Sequence, residues 1–167
     1  LLSIRFVPQY GFWRGCYMGI FHAISAFCNA GFDLMGRNEA YSSLVAYEGD
    51  ILVNLTIMAL IIIGGAGFLV WDDIHRNRLN FKKYLLHTKI VLITTGILIF
   101  GGALLFYLME KDNVLAGMNV RERILGSLFS SVTPRTAGFN SVDTAALKDS
   151  SKFLTMVLMF IGGSPGS

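Results

Sequence analysis

Two short runs of the 167-residue sequence combine residue types suited to holding a dehydrated cation: Asn29-Ala30-Gly31-Phe32-Asp33 and Thr136-Ala137-Gly138-Phe139-Asn140. The Ala-Gly-Phe-Asp/Asn core matches between them without a gap. Its chemistry would come from the backbone. A cation such as potassium, on leaving water, exchanges its hydration shell for oxygens of matching number and field strength, and rings of carbonyls supply them. Pointing successive carbonyls toward one axis requires angles that favour glycine, because a Cβ disfavours positive φ. Gly31 and Gly138 are the natural occupants of that position, with the ion held by the carbonyls near each. Asp33 and Asn140 would either add oxygens at the mouth or close the loop by bonding nearby backbone. Phe32 and Phe139 read as packing wedges rather than ion contacts. Arg135 would repel a cation and reads as a structural brace.

A third glycine-rich run, Gly162-Gly163-Ser164-Pro165-Gly166-Ser167, fits the Gly-x-Ser-x-Gly nucleophile pattern. That pattern means a serine hydrolase only on a strand-to-helix elbow with a base nearby. Here it follows an apolar run, and Pro165 removes an N–H that could have served an oxyanion. The candidate bases are His22, on one short helix, and His75 and His87, in a distant basic connection. A chance match is the better reading.

The elements that must position these loops are apolar. The chain is 53% hydrophobic and 15% charged, against about 25% charged in a soluble domain, and its mean hydropathy is +0.56. Two stretches, Ile51 to Val70 and Ile90 to Met109, approach the roughly 20 apolar residues that a bilayer crossing needs. A third, Phe153 to Ile161, meets the glycine run too early to cross alone. Shorter apolar stretches, Cys16 to Phe27 and Ile124 to Val132, precede the two Ala-Gly-Phe loops. A helix over 16–27 would be about 18 Å long, so it enters the membrane and stops partway. Its C-terminal end, with its negative partial charge, would face the ion. Non-helical backbone at that depth is tolerated only where it lines a polar cavity or is buried in protein.

Charge sets the expected topology. Trp71 to Lys89 carries Arg76, Arg78, Lys82, Lys83 and Lys89 against Asp72 and Asp73, so by the positive-inside rule it is cytoplasmic and the filter loops face outside. The net charge of +3 is modest and forms no basic stripe with interleaved aromatics, which argues against nucleic-acid binding. Cys16 and Cys28 read as buried free thiols, without a zinc pattern.

These features predict an all-α integral membrane fold built of repeated span–pore helix–filter loop–span units around a central pore. Residues 1–70 would form one unit, 71–89 a basic linker and 90–167 a second unit. Both ends look cut, so the chain reads as a fragment. A rival, the carrier with broken helices, typically has inverted repeats, whereas these two run in the same orientation.

Phe21 to Leu34, Ile63 to Phe68, Ser131 to Asn140 and Gly162 to Ser167 together resemble the Ktr/Trk/HKT superfamily of potassium transporters, most closely the membrane subunits of bacterial Ktr uptake systems. The resemblance implies four units around one pore, each giving one filter glycine. Gly31 would then belong to the second unit and Gly138 to the third, parts of two of the four. It implies that Gly162 to Ser167 begins an intramembrane gate loop. It further implies potassium uptake at the plasma membrane, commonly sodium-dependent, by a homodimer seated on a cytoplasmic ring of nucleotide-binding regulatory subunits. A sodium-preferring or poorly selective pore of the same superfamily is the alternative.

Overall fold

The computed structural model describes residues 1–37, 43–78 and 80–166. Among them every regular element is helical: α1 Leu2–Tyr10, α2 Phe12–Phe27, α3 Ile51–Gly65, α4 Phe68–Asn77, α5 Leu86–Glu110, α6 Val120–Val132 and α7 Asp149–Ile161. Short 3₁₀ turns occupy Met35–Arg37, Val45–Tyr47, Phe81–Lys83 and Thr133–Arg135.

The straight crossing expected over 51–70 is not what forms. α3 stops at Gly65, and α4 leaves it at 94°. The cause is local. Gly67 sits at φ +84, a region where a Cβ is penalised, and the Trp71 indole N–H donates to the Ile63 carbonyl at 2.9 Å, fastening the bend. Hydropathy averages over such a break and cannot see it. α5, with 25 residues, is the one described helix long and apolar enough to cross a membrane by itself; α3 and α4 meet that test only as a bent pair. The basic connection is also more structured than a solvated loop. Residues 71–77 continue α4, and α5 already begins at Leu86. Asp73 joins the two by accepting from the Leu85 N–H at 2.8 Å and the Asn77 amide at 2.7 Å.

Both short helices begin a turn earlier than the apolar stretches that signalled them. For α6 the reason is a capping box, in which Asn119 and Glu122 satisfy each other's backbone N–H groups; such reciprocal caps nucleate a helix through polar residues. α3 starts on Asp50, whose carboxylate accepts from the Val53 N–H at 3.1 Å and pairs with Arg5 of α1.

Small residues set the closest helix contacts, as expected where lipid removes the hydrophobic drive between helices. Gly15 of α2 lies against α1 so closely that a Cβ there would be 2.5 Å from the Val7 backbone, and one at Gly19 would overlap Ser3. Gly102 of α5 packs on Ser131 of α6, whose hydroxyl donates to the Leu98 and Ile99 carbonyls at 2.9 and 3.0 Å. We expect Gly15→Leu in the full-length protein to separate α1 from α2 and cost about 1–3 kcal/mol through overpacking. A thermal-stability assay in detergent would show this as an earlier transition. An unchanged transition would contradict the close approach.

Candidate functional site: two facing glycine loops

α2 and α6 each run into an Ala-Gly-Phe loop, and each loop is hung from one hydroxyl residue at the end of its helix. The Ser25 carbonyl accepts from the Ala30 N–H at 2.9 Å, while its hydroxyl donates to the Phe32 carbonyl at 2.7 Å. The Thr133 carbonyl accepts from the Ala137 and Gly138 N–H groups at 3.0 and 3.2 Å, and its hydroxyl donates to the Phe139 carbonyl at 2.6 Å. Sequence reasoning assigned neither residue a role. The gapless overlay pairs Ser25 with Val132, which conceals the equivalence: the hydroxyl lies seven residues before Phe32 in one loop and six before Phe139 in the other.

Gly31 has φ +72 and Gly138 φ +88, the left-handed conformation in which a side chain is strained. The two loops touch. A Cβ added to Gly31 would overlap the Ala137 carbonyl oxygen. Among the described residues the carbonyls of Ala30, Gly31, Ala137 and Gly138 accept no hydrogen bond, and no group of three or more His, Cys, Asp or Glu side chains is placed to hold a metal ion. Backbone oxygens free to meet a cation are therefore present on both loops.

Asn29, at φ +51, stitches the two loops to α3. With its amide nitrogen toward the Ile61 carbonyl (3.3 Å) and the Thr136 hydroxyl (3.1 Å), its oxygen accepts from the Gly65 N–H at 3.1 Å. Asn29 and Thr136 are 107 positions apart, the same separation as the two glycines, so equivalent residues of the two loops bond to each other. Gly64 lets α3 close beneath the first loop, because a Cβ there would overlap the Phe27 carbonyl.

The flanking residues fall into different surroundings. Phe139 is fully buried, beside the His22 ring at 6.4 Å, whereas Phe32 is 70% exposed. The Asp33 carboxylate accepts from the Met35 N–H at 3.0 Å, which is the loop-closing arrangement. Asn140 is tied by its backbone, donating to the Ser43 hydroxyl at 3.2 Å and accepting from the Leu44 N–H at 2.9 Å. Asn140 borders an apolar cleft of about 460 Å³ shared with Gly138, Phe106, Phe129 and Met156. His22 is fully buried. Its Nδ1–H donates to the Met18 carbonyl at 2.7 Å, and Nε2 accepts from the Leu34 N–H at 3.3 Å. One donor and one acceptor are what a neutral imidazole satisfies, so it sits as a packed neutral histidine. Cys28 is exposed rather than buried.

Beyond α7 the chain turns at Gly162, φ +67, and again at Gly166, φ +83. This segment lies against the bend between α3 and α4. The Ser164 N–H donates to the Gly65 carbonyl at 3.2 Å, and the Phe68 N–H donates to the Gly166 carbonyl at 3.3 Å. Gly163 and Arg135 border the same narrow gap as Gly65 and Thr136. Arg135 spans the loop and this segment, its Nε donating to the Gly162 carbonyl at 3.2 Å and its Nη2 to the Thr95 hydroxyl of α5 at 3.3 Å. Among the described residues no histidine bonds Ser164, whose hydroxyl reaches only the Pro165 carbonyl at 3.5 Å, so nothing supports a hydrolase. Ser167, expected within the start of the gate loop, lies outside the described residues.

Comparison with known proteins accounts for nearly all of the sequence. The family model TrkH, cation transport protein, matches residues 5–167. The chain is similar to the potassium/sodium uptake protein NtpJ of Enterococcus hirae, 44% identical over 170 residues, covering 99% of this chain and 36% of that protein. It is likewise similar to the Ktr system potassium uptake protein B of Bacillus subtilis, 44% identical over 169 residues, covering 100% of this chain and 37% of that protein. The protein of that same name from Vibrio alginolyticus is 39% identical over 169 residues, 99% of this chain and 36% of its own length. The chain thus spans a little over a third of the length of these three relatives.

Proposed function

The chain belongs to the TrkH family of cation transport proteins, integral membrane transporters, and from that premise we propose that it supplies two of the four filter quarters of a potassium-uptake pore. The observation that carries this reading is the contact between the two loops: both glycines are left-handed, their neighbouring carbonyls are free, and Gly31 abuts the Ala137 carbonyl. The ion would pass where carbonyls of residues 30–31 and 137–138 replace its water. Selectivity follows from the number and field strength of those oxygens. Two quarters do not close a ring, so the pore belongs to the full-length protein.

In this reading residues 1–70 and 90–167 are the second and third units, 71–89 faces the cytoplasm and the filter loops face outward. The segment from Gly162 begins the gate, lying below the filter and held by Arg135. In this reading a second copy of the protein and a cytoplasmic nucleotide-binding ring complete the assembly; relatives named as parts of a Ktr system support a multi-component system. Sodium enters as a second ion. The name of the Enterococcus relative includes sodium, which favours sodium-coupled uptake or, as the second reading, a pore of lower selectivity. Full-length protein expressed in cells lacking their own potassium uptake is expected to restore rubidium and potassium accumulation at micromolar to millimolar supply and to respond to added sodium. Sodium accumulation without potassium discrimination would replace the first reading by the second. No cation uptake at all would remove both.

A further inference from the structure

We infer that Ser25 and Thr133 are positioning residues that set ion selectivity, by holding the Phe32 and Phe139 carbonyls back toward their helices so that coordination falls to the carbonyls of residues 30–31 and 137–138. The inference rests on the filter reading above and names what gives the filter its width.

Hydroxyl side chains in helices ordinarily bond the carbonyl one turn behind them. In this protein Ser127 does so to Arg123 at 2.7 Å, and Thr155 to Ser151 at 2.9 Å. Ser25 and Thr133 do the opposite. Each reaches forward, over its loop, to the carbonyl of the phenylalanine that follows the glycine. At the same time each offers its own carbonyl to the N–H groups on the entering side of the loop. One residue thereby fixes both limbs of a loop whose glycine would otherwise leave it conformationally free.

The arrangement is kept although its spacing is not. The first loop takes seven residues to return to its hydroxyl, while the second, shortened through the 3₁₀ turn at Thr133–Arg135, takes six. The residue types also differ, Ser in one and Thr in the other. What recurs is the bond itself. A carbonyl that accepts a hydroxyl at 2.6–2.7 Å has one lone pair committed and its direction set, whereas the preceding carbonyls keep both lone pairs open to an ion. Since filter selectivity depends on oxygen number and field strength, freeing the Phe32 or Phe139 carbonyl adds an unconstrained oxygen and widens the site.

The test uses full-length protein in potassium-uptake-deficient cells, with Ser25→Ala and Thr133→Val beside the conservative Ser25→Thr and Thr133→Ser. Membrane content is measured by immunoblot. The expected result is a rise of about fivefold or more in the half-saturating potassium concentration, the scale of one neutral hydrogen bond. Sodium should compete more strongly, the maximal rate per transporter should change little, and both conservative variants should behave like the parent. Should Thr133→Val fail to reach the membrane, Thr133→Cys, with a thiol that donates weakly, takes its place with the same expectation. Parental affinity and sodium discrimination in Ser25→Ala and the Thr133 variant would overturn the inference. So would a loss confined to maximal rate, or conservative variants as impaired as the others. Gly31→Ser run in parallel separates the two levels: if it changes affinity while the hydroxyl variants do not, the filter stands without these anchors, and if it too is silent the filter reading falls first.

Discussion

Gly31→Ser in the full-length transporter is expected to raise the half-saturating potassium concentration by at least tenfold and to weaken discrimination against sodium. Two effects add at this position. A non-glycine residue held at φ +72 is strained by about 1–2 kcal/mol, and its Cβ would overlap the Ala137 carbonyl oxygen of the facing loop. The loops must part to admit it, which moves the oxygens proposed to replace the hydration shell. Because the obstacle is the Cβ, Gly31→Ala should do nearly as much harm as Gly31→Ser. At Gly138 no atom lies within 4 Å of an added Cβ, but φ +88 imposes the same conformational strain, so Gly138→Ser should also lose affinity. Rubidium uptake over a range of supply, with and without competing sodium, measures both. Unchanged affinity and sodium discrimination in both variants would dismiss the filter assignment. Tolerance of alanine with intolerance of serine at 31 would mean that polarity, not the contact with Ala137, matters.

The second large effect is expected from Asn29→Ala. The carboxamide joins three groups: the Ile61 carbonyl and Gly65 N–H on the last turn of α3, and the Thr136 hydroxyl of the other loop. Truncation leaves these without that partner, at about 1–3 kcal/mol for polar groups deprived of water. It also replaces a residue type that tolerates φ +51 by one that does so poorly. Thr136→Val removes only one of the three bonds and should cost less. The readout is thermal unfolding of purified full-length protein with and without potassium. A ligand that binds only the folded state stabilises it by an amount that grows with the logarithm of its concentration over Kd, so the parent should gain stability from potassium and Asn29→Ala should lose most of that gain as well as baseline stability. If the potassium-dependent gain survives intact, the stitch serves α3 alone and not the ion site.

Much of the candidate site's local conformation was legible because it depends on short-range chemistry. A glycine at positive φ follows from the lack of a Cβ, and the Ala-Gly-Phe repeat marks it twice. α5 was visible as an uninterrupted apolar run, its N-terminal end starting about one turn earlier, at Leu86, because polar residues such as Lys89 flank a crossing without breaking it. The bend at Gly67 was not visible, although the glycines were. Whether Gly64-Gly65-Ala66-Gly67 continues a helix or turns it depends on Trp71 reaching back to Ile63 and on the 162–166 segment lying against the bend. Asp33 illustrates the same limit, since a carboxylate at this position can offer its oxygens to an ion or to a backbone N–H, and the Met35 N–H takes one of the two.

By itself the sequence determined the membrane character, the two glycine loops and the resemblance that the family match upheld, because apolar runs, charge sign and motif spacing are properties of the linear chain. Only the tertiary structure decided that the loops face each other, that Asn29 meets Thr136 across 107 positions, that Arg135 reaches Gly162, and that Ser25 and Thr133 hold the loops by the same bond at different spacing. These are contacts between segments far apart in the chain or between loop limbs of unequal length. Local preference leaves such pairings open; packing the helices through their glycines and serines brings the partners within reach and selects among them.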